Sequence, residues 1–291
     1  MTSLRPPLWT PVAALLTCTA VHAQNAELRL DSSEVVPGMY AIYSADEQFV
    51  GGTMALLIGE DGEVLIDAGI EQISEALLDA VAELAGDPVD FLINTHVHGD
   101  HVGSNAALHE DGATIVAHTN IRERLLSDDE SPAAALPQIT YDNGVTLHLN
   151  GFTTQVIHVP NAHTDGDSII WFPDVNVIHA GDVLFNGLFP FIDAGSGGGV
   201  EGYLAAMSRI ITLADNETKI IAGHGPVIAS RADVQRAQNM IVDARGKVKA
   251  LKAGGMSEDE VVAANPLAEY ESWSWGFINT ERMTRQMYQS L

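Results

Sequence analysis

The chain has 291 residues, of which 46% are hydrophobic and 18% charged, a size and composition typical of a globular protein with a substantial core. Lys and Arg number 14 against 39 Asp and Glu, which gives a formal net charge of −25. A surface this acidic repels phosphate backbones, so nucleic acid is excluded as an expected partner.

The first 23 residues have the pattern of a secretory signal peptide. Arg5 supplies a positive charge, residues 8–21 form an apolar stretch, and the small residue Ala23 suits a cleavage site. This stretch is shorter than the roughly 20 apolar residues of a membrane-spanning helix, so no membrane span is predicted. Cys18 is the only cysteine, which leaves the mature chain without disulfides. We therefore expect a periplasmic or secreted protein.

The first half of the remaining chain is rich in predicted strands. Apolar residues recur on one helical face over residues 71–85, which predicts a helix, and shorter helices are predicted at 102–109 and 120–126. Alternating or continuous apolar runs predict strands at residues 39–44, 53–59, 63–67, 89–93 and 114–117.

The second half repeats this order after an acidic loop at 128–137. Strands are predicted at 145–149, 153–159, 168–172, 175–180 and 219–221, and helices at 200–213, 231–252, 257–263 and 277–289. Two strand-rich halves, each followed by helices, imply an α/β protein of stacked sheets covered by helices. Because neither half ends in a long linker, we expect one domain over residues 24–291, with a helical C-terminal extension from about 231 to 291.

Four residues of the kinds that bind metals lie within six positions, directly after the strand predicted at 89–93. They are His96, His98, Asp100 and His101. Ionised Asp is rarely buried unless it is paired, and a buried His needs a partner. Imidazole and carboxylate are also the usual ligands of Zn²⁺. His163, Asp182 and His224 each follow another apolar strand, so we predict that all seven residues form one metal site.

The H-x-H-x-D-H pattern, continued in order by His163, Asp182 and His224, resembles the signature of the metallo-β-lactamase superfamily. The resemblance implies a four-layer αβ/βα sandwich with two Zn²⁺ ions at one edge between the sheets. It implies that His96, His98 and His163 bind one ion, that Asp100, His101 and His224 bind the second, and that Asp182 bridges the two.

The resemblance also implies a hydrolase in which a metal-bridging hydroxide attacks the carbonyl carbon of a small molecule, with Asp100 and His163 as catalytic residues. Metal binding lowers the pKa of water from about 16 to about 7, so hydroxide forms at neutral pH. A β-lactam amide is the substrate we expect first. A lactone or thioester, as in acyl-homoserine lactonases or glyoxalase II, is the alternative. A non-catalytic zinc-binding protein and an iron enzyme that oxidises sulfur compounds are further alternatives.

The chain differs from particular branches of the superfamily at positions near Asp182, so the sequence does not decide which substrate is cleaved. The best-known secreted β-lactamases have Cys where Asp182 stands and Lys three positions later, where this chain has Phe185. Lactonases tend to have Tyr at that later position. We predict substrate contacts from the apolar segment that follows Asp182, at Phe185, Asn186 and Phe189.

Several further residues have two interpretations. Thr95 is a candidate to orient a ligand, and His179 is either a surface or hydrogen-bonded core residue or a second such candidate. Asp165 and Asp167 either orient His163 or cap the following strand. A cluster of basic residues, Arg245, Lys247, Lys249 and Lys252, either holds a glutathione moiety or forms the solvated face of a helix.

Overall fold

A computed structural model describes residues 28–46 and 48–291. The predicted signal peptide and Cys18 lie outside the described residues. Two β-sheets lie against each other, and helices cover the outer face of each, so the predicted four-layer αβ/βα sandwich is confirmed.

The first sheet has seven strands in the order of the chain. They are β1 Leu30–Val36, β2 Met39–Ser44, β3 Met54–Leu57, β4 Glu63–Ile66, β5 Val89–Ile93, β6 Thr114–His118 and β7 Ile139–Tyr141. The strands β1 to β4 pair antiparallel, whereas β4 to β7 pair parallel. Parallel pairing puts the carboxyl ends of β4, β5 and β6 at the same edge of the sheet.

The second sheet has six strands in the order β13-β12-β11-β10-β9-β8. They are β8 Gly144–Leu149, β9 Phe152–His158, β10 Ser168–Phe172, β11 Val177–His179, β12 Lys219–Ile221 and β13 Ile228–Ala229. Only β11 and β12 pair parallel, so these two strands also end at a common edge.

Eight α-helices complete the described chain. They are α1 Ser74–Ala85, α2 Gly99–Val102, α3 Asn105–Glu110, α4 Thr119–Ser127, α5 Val200–Leu213, α6 Arg231–Ala253, α7 Glu258–Ala264 and α8 Thr280–Gln289. The first sheet is covered by α1 and α3, and the second by α5, α6 and α8. No helix in the described ranges combines the length and apolar character that crossing a membrane requires.

Strand β3 shows how the layers are built from alternation. Ala55 and Leu57 belong to the core between the two sheets, whereas Met54 and Leu56 face the layer that contains α1. All four side chains are buried, which is why this strand is apolar on both faces.

Three strands were not predicted individually, and each lies at a sheet edge or is very short. β1 is polar along much of its length, because one of its sides has no neighbouring strand. β7 and β13 have three and two residues, too few for a periodic pattern. The helix predicted from residue 71 begins as a 3₁₀ turn, Glu71–Ile73, and becomes α-helical at Ser74.

The C-terminal helices share one core with the second sheet. Met283 and Met287 of α8 are fully buried in a cluster that also contains Ile169 of β10, Ile178 of β11 and Ile220 of β12. The single domain over 24–291 stays a prediction, and this shared core makes it testable.

We expect Met287→Ala to lower the free energy of unfolding of the whole chain by about 2–5 kcal/mol, because it leaves a cavity in the shared core. Urea unfolding followed by circular dichroism measures this change. Val242→Ala on the exposed face of α6 is the control and should change stability by less than about 0.5 kcal/mol. A separate early transition of the C-terminal helices would contradict one cooperative domain.

Candidate metal centre

The seven predicted ligands come from loops that leave the two sheets at one edge. His96, His98, Asp100 and His101 follow β5, and His163 lies between β9 and β10. Asp182 follows β11 and His224 follows its parallel neighbour β12. The structure therefore brings together all seven residues that the sequence analysis selected.

Their nitrogen and oxygen atoms form three overlapping groups, in each of which the atoms lie within 4.8 Å of one another. These groups are His96, His98, His163 with Asp182; His96, Asp100 with His101; and His101, Asp182 with His224. Asp182 belongs to two of them. Its oxygens lie 3.1 Å from His101 Nε2, 3.3 Å from both His163 Nε2 and His224 Nε2, and 3.8 Å from His96 Nε2.

The hydrogen bonds of His98 and His163 determine where their lone pairs point. His163 Nδ1–H donates to the Phe191 carbonyl at 2.7 Å, which leaves Nε2 without a proton. His98 Nε2–H donates to Asp193 Oδ2 at 3.0 Å, which leaves Nδ1 without a proton. These two unprotonated nitrogens are 2.8 Å apart. Two facing lone pairs at that distance repel each other, so the pair suits a shared cation.

His101 and His96 have the same arrangement. His101 Nδ1–H donates to Asp67 Oδ2 at 2.8 Å, and His96 Nδ1–H donates to Thr95 Oγ1 at 3.1 Å. Thr95 Oγ1–H donates in turn to Asp67 at 2.7 Å. The remaining nitrogens, His96 Nε2 and His101 Nε2, and Asp182 Oδ1 are buried with no partner outside the cluster, and His101 Nε2 lies 3.1 Å from Asp182 Oδ1. Buried polar atoms without partners are rare, and here all three lie where a metal ion would be bound.

Electrostatics support the same conclusion. Burial would raise the pKa of Asp182, but the surrounding imidazoles of His224, His101 and His96 hold it well below its ordinary value. Burial lowers the pKa of His163 to about 4. Burial would likewise lower the pKa of His101, but neighbouring carboxylates, Asp182 foremost, hold it well above its ordinary value. The carboxylates thus require a positive charge among the imidazoles, which a proton or a metal ion can supply.

The two residues predicted to be catalytic are in unequal surroundings. His163 is buried, and both of its ring nitrogens already have close neighbours within the site. The Asp100 side chain is 20% exposed and lines a cavity, with Oδ2 at 3.3 Å from His224 Nε2. Both residues have the geometry of ligands, and their catalytic roles stay predictions.

A cavity of about 790 Å³ opens directly above the cluster. His98, Asp100, His163, Asp182 and His224 form its polar floor. Its walls are apolar and are formed by Phe49, Ile70, Phe185, Phe191, Trp275 and Phe277. This volume lies in the range of small-molecule sites.

A sequence profile of the family described as the Metallo-beta-lactamase superfamily matches residues 49–224, well over half of the chain and the whole stretch that carries the seven residues. The chain belongs to the metallo-β-lactamase superfamily.

Three curated relatives illustrate the range of similarity to this superfamily member. A Beta-lactamase-like protein 2 homolog from Caenorhabditis elegans is 27% identical over 190 residues, which cover 61% of this chain and 57% of that protein. A hydroxyacylglutathione hydrolase from Methylococcus capsulatus is 26% identical over 229 residues, 74% of this chain and 82% of that protein. One from Brucella ovis is 31% identical over 144 residues, 48% and 51% of the two chains. The chain thus spans little more than half the length of the worm and Brucella proteins.

Solved structures show the same fold. A metallo-beta-lactamase from Pontibacter korlensis superposes with a TM-score of 0.64 at 16% identity, covering 74% of this chain and all of that one. A sec-alkylsulfatase from Pseudomonas sp. superposes with a TM-score of 0.67 at 15% identity, covering 90% of this chain and half of that one. At these identities the likeness concerns the fold.

The substrate contacts predicted for this superfamily member are only partly in the cavity. Phe185 lines it and stacks on His224, with 5.0 Å between ring centroids. Asn186 and Phe189 do not line it, and their contacts with substrate stay predictions. The Asn186 amide donates to the Pro226 carbonyl at 2.8 Å, and Phe189 is fully buried in the core beside the second sheet.

The hydrogen bonds distinguish the two interpretations of the residues that could orient ligands. Thr95 does contact His96, but His179 Nε2–H donates to the Thr53 carbonyl at 3.0 Å and contacts the backbone instead of a ligand. Asp165 forms an ion pair with Arg124, and Asp167 accepts from the Thr164 N–H at 2.8 Å. Neither carboxylate accepts the second N–H of His163, which the Phe191 carbonyl does.

Two acceptors that position ligands were missed by the sequence analysis. Asp67 directly follows β4, whose parallel neighbour β5 leads into the metal loop, so its position at a strand end was an available signal. Asp193 lies 95 residues from its partner His98, in a loop with no periodic pattern. Only the tertiary structure reveals that contact.

The cluster of basic residues on α6 does not line the cavity. Arg245 pairs with Glu201, Lys247 pairs with Asp243 and Glu269, and Lys252 donates to the Tyr288 carbonyl at 2.9 Å. Lys249 is exposed. Their interpretation as the solvated face of a helix is therefore favoured over a glutathione site.

Gly52 tests how closely the structure holds His101. A Cβ at this position would lie 2.1 Å from His101 Cε1, so Gly52→Ala must displace the imidazole. We expect metal affinity to fall about 10- to 100-fold, comparable to the loss of an orienting partner. Gly99→Ala, between the ligands His98 and Asp100, is the control, because a Cβ there meets nothing within 4 Å. Equal affinities of the two variants, measured by chelator competition, would contradict this close packing.

Proposed function

We propose that this hydrolase cleaves the thioester or related ester bond of a small molecule, with two divalent cations, expected to be zinc, bound at the candidate centre. The observation that carries the proposal is the position of Asp182. Among the described residues it is the one carboxylate shared by two groups of potential ligands, and it lies on the floor of one open cavity, which suits a bridging carboxylate.

The residues present fit such ions. His96, His98 and His163 would hold one, Asp100, His101 and His224 the other, and Asp182 would lie between them. Four nitrogen atoms would bind the metal ions directly: Nε2 of His96, Nε2 of His101, Nδ1 of His98 and Nε2 of His163. When bound, ions of this kind supply Lewis acidity and make water nucleophilic near pH 7.

The chain's own residues prepare the site for that chemistry. Asp193, the Phe191 carbonyl and Asp67 each accept a ring N–H, which fixes the orientation of His98, His163 and His101. The apolar walls limit water around the reacting carbonyl, which strengthens electrostatic interactions at the floor.

Leaving-group chemistry favours a thioester over a β-lactam. Hydrolysis adds water across the bond: a C–O bond forms, the C–S bond breaks, and the products are a carboxylic acid and a thiol. A thiol with a pKa of about 8.5 departs readily as thiolate, whereas an amide nitrogen requires a proton. Among the described residues that line the cavity, the groups able to supply one are the His and Asp side chains of the floor, which the proposal assigns to the metal ions.

The relatives point the same way. Two of the three described above carry the name hydroxyacylglutathione hydrolase, and one of them aligns over 82% of its own length. This supports the alternative of the sequence analysis better than its first expectation, the β-lactam.

Location in the periplasm or outside the cell is part of the proposal and rests on the N-terminal sequence alone.

A substrate panel tests the reaction. We expect the zinc-loaded protein to hydrolyse a neutral thioester at least about a hundredfold faster, in kcat/KM, than a chromogenic cephalosporin. A homoserine lactone and a glutathione thioester complete the panel. A chelator should abolish every activity, and added zinc should restore it. Preferential cleavage of the cephalosporin would return the assignment to a β-lactamase.

Replacement of the shared carboxylate tests the metal assignment. We expect Asp182→Ala to lose about one bound metal ion per chain and to lower turnover by at least about a hundredfold, because two groups of ligands lose a common member. Emission spectroscopy of the dialysed protein gives the metal content. Asp129→Ala, at an exposed position on the loop after α4, is the charge-matched control. Unchanged metal content and rate would exclude a bridging role.

A further inference from the structure

The walls of the cavity are built partly by a segment outside the region that defines the family. The profile ends at residue 224, whereas Trp275 and Phe277 belong to the loop between the 3₁₀ helix Ala268–Trp273 and α8. The family match therefore does not account for this side of the cavity. The apolar character of this wall is therefore determined by residues of the C-terminal segment, Trp275 and Phe277.

Hydrogen bonds and packing hold this segment in place against the loop that follows Asp182. Trp275 Nε1–H donates to the Phe189 carbonyl at 2.9 Å, and the Phe189 N–H donates to the Trp273 carbonyl at 2.8 Å. Trp275 N–H donates to the carbonyl of Ile278, whose side chain is fully buried. The C-terminal segment thus donates a hydrogen bond to the loop and accepts one from it, so this wall of the cavity is in place without a ligand.

The aromatic rings are continuous from the floor to the mouth. Trp275 stacks on His224, with 5.9 Å between centroids and 26° between planes, and it contacts Phe185 at 5.8 Å. Phe277 packs edge-on against Phe191 at 5.2 Å. An apolar group placed along these rings would extend directly from the metal floor.

Two of these rings are exposed at the mouth. Phe49 is 56% exposed and Phe277 is 43% exposed. Within the described residues they are the only aromatic members of the set of exposed large hydrophobic side chains, and both line this cavity. Exposed apolar surface concentrated at one cavity indicates a site for an apolar ligand.

The walls offer nothing to a charged substrate. None of the lining side chains in the described chain is Lys or Arg, and the floor already contains the carboxylates of Asp100 and Asp182. Arg282 lies close by, but its guanidinium packs 4.1 Å from the centroid of the Phe277 ring, and Nη1 donates to the Phe277 carbonyl at 2.7 Å. A substrate carboxylate beyond the metal floor would therefore lose its hydration without gaining a partner.

We propose that Trp275 and Phe277 make this enzyme selective for esters or thioesters whose acyl group is an uncharged apolar chain. This inference rests on the proposed function. It assigns to the C-terminal segment the recognition of the acyl chain, and it excludes the anionic tripeptide of glutathione as a group that the walls recognise.

A series of thioesters of the neutral thiol N-acetylcysteamine tests the proposal on the zinc-loaded protein. From acetyl through butanoyl and hexanoyl to octanoyl, kcat/KM should rise about fourfold per methylene until the walls are covered. Succinyl and adipoyl thioesters, which add a terminal carboxylate, should be cleaved more slowly than the butanoyl and hexanoyl compounds of matching length.

Two variants locate the selectivity. Phe277→Ala should lower kcat/KM for the octanoyl compound by about tenfold and leave the acetyl compound within about twofold. Trp275→Leu should also flatten the dependence on chain length. Val242→Ala, an exposed apolar position outside the cavity, should behave like the unaltered protein. Because Phe277 is partly exposed, its replacement should leave the melting temperature nearly unchanged.

Other results would overturn the inference. Chain-length dependence that is absent, or that survives in both variants, would remove the role of Trp275 and Phe277. Preference for adipoyl over hexanoyl that disappears in Arg282→Ala would assign Arg282 to a substrate carboxylate instead.

Binding separates this inference from the proposed function. The thioether S-octyl-N-acetylcysteamine cannot be hydrolysed, and by calorimetry it should bind at least about tenfold more tightly than its S-ethyl counterpart, a difference lost in Phe277→Ala. Absence of hydrolysis throughout the series would refute the proposed reaction alone. Equal affinities of the two thioethers would refute the apolar site alone.

Discussion

Four imidazole nitrogens lie within 3.1–3.8 Å of the carboxylate of Asp182, which is almost fully buried. On His163 and His96 the second ring nitrogen is already occupied as a donor, so the nitrogens that face Asp182 carry lone pairs, whereas the raised pKa of His101 favours a proton on the nitrogen that faces it. Lone pairs and a buried carboxylate repel one another unless a positive charge lies among them. The site is therefore stable only with a cation or bound protons.

The outer hydrogen bonds are what impose this arrangement. Asp67 accepts from both Thr95 and His101, and it adopts a left-handed backbone conformation with φ of 62°, which is uncommon for a residue other than glycine. Asp193 performs the same function for His98 from a different loop. Because these acceptors fix which nitrogen keeps its proton, they determine the ligand atoms as much as the histidines do.

The two sides of the site have different origins. Its floor comes from loops at the common edge of two sheets, within the region shared by the superfamily. Its aromatic wall depends partly on Trp275 and Phe277, from the C-terminal part of the chain. A centre shared across the superfamily is thus combined with a cavity wall that belongs to this chain, so the residues proposed for the reaction and those proposed for specificity lie in different parts of the sequence.

The sequence by itself determined the superfamily, the layered α/β fold and the seven residues that meet at the centre. Closely spaced histidines and acids after apolar strands are a local signal, and parallel strands end at one edge. Only the tertiary structure decided which residues orient those seven and which form the cavity walls. Asp193 contacts His98 across 95 positions, and Trp275 contacts His224 across 51, without any periodicity to predict either contact. The same reason explains why Phe189 and Asn186, adjacent in sequence to Phe185, face the core and the backbone instead of the cavity.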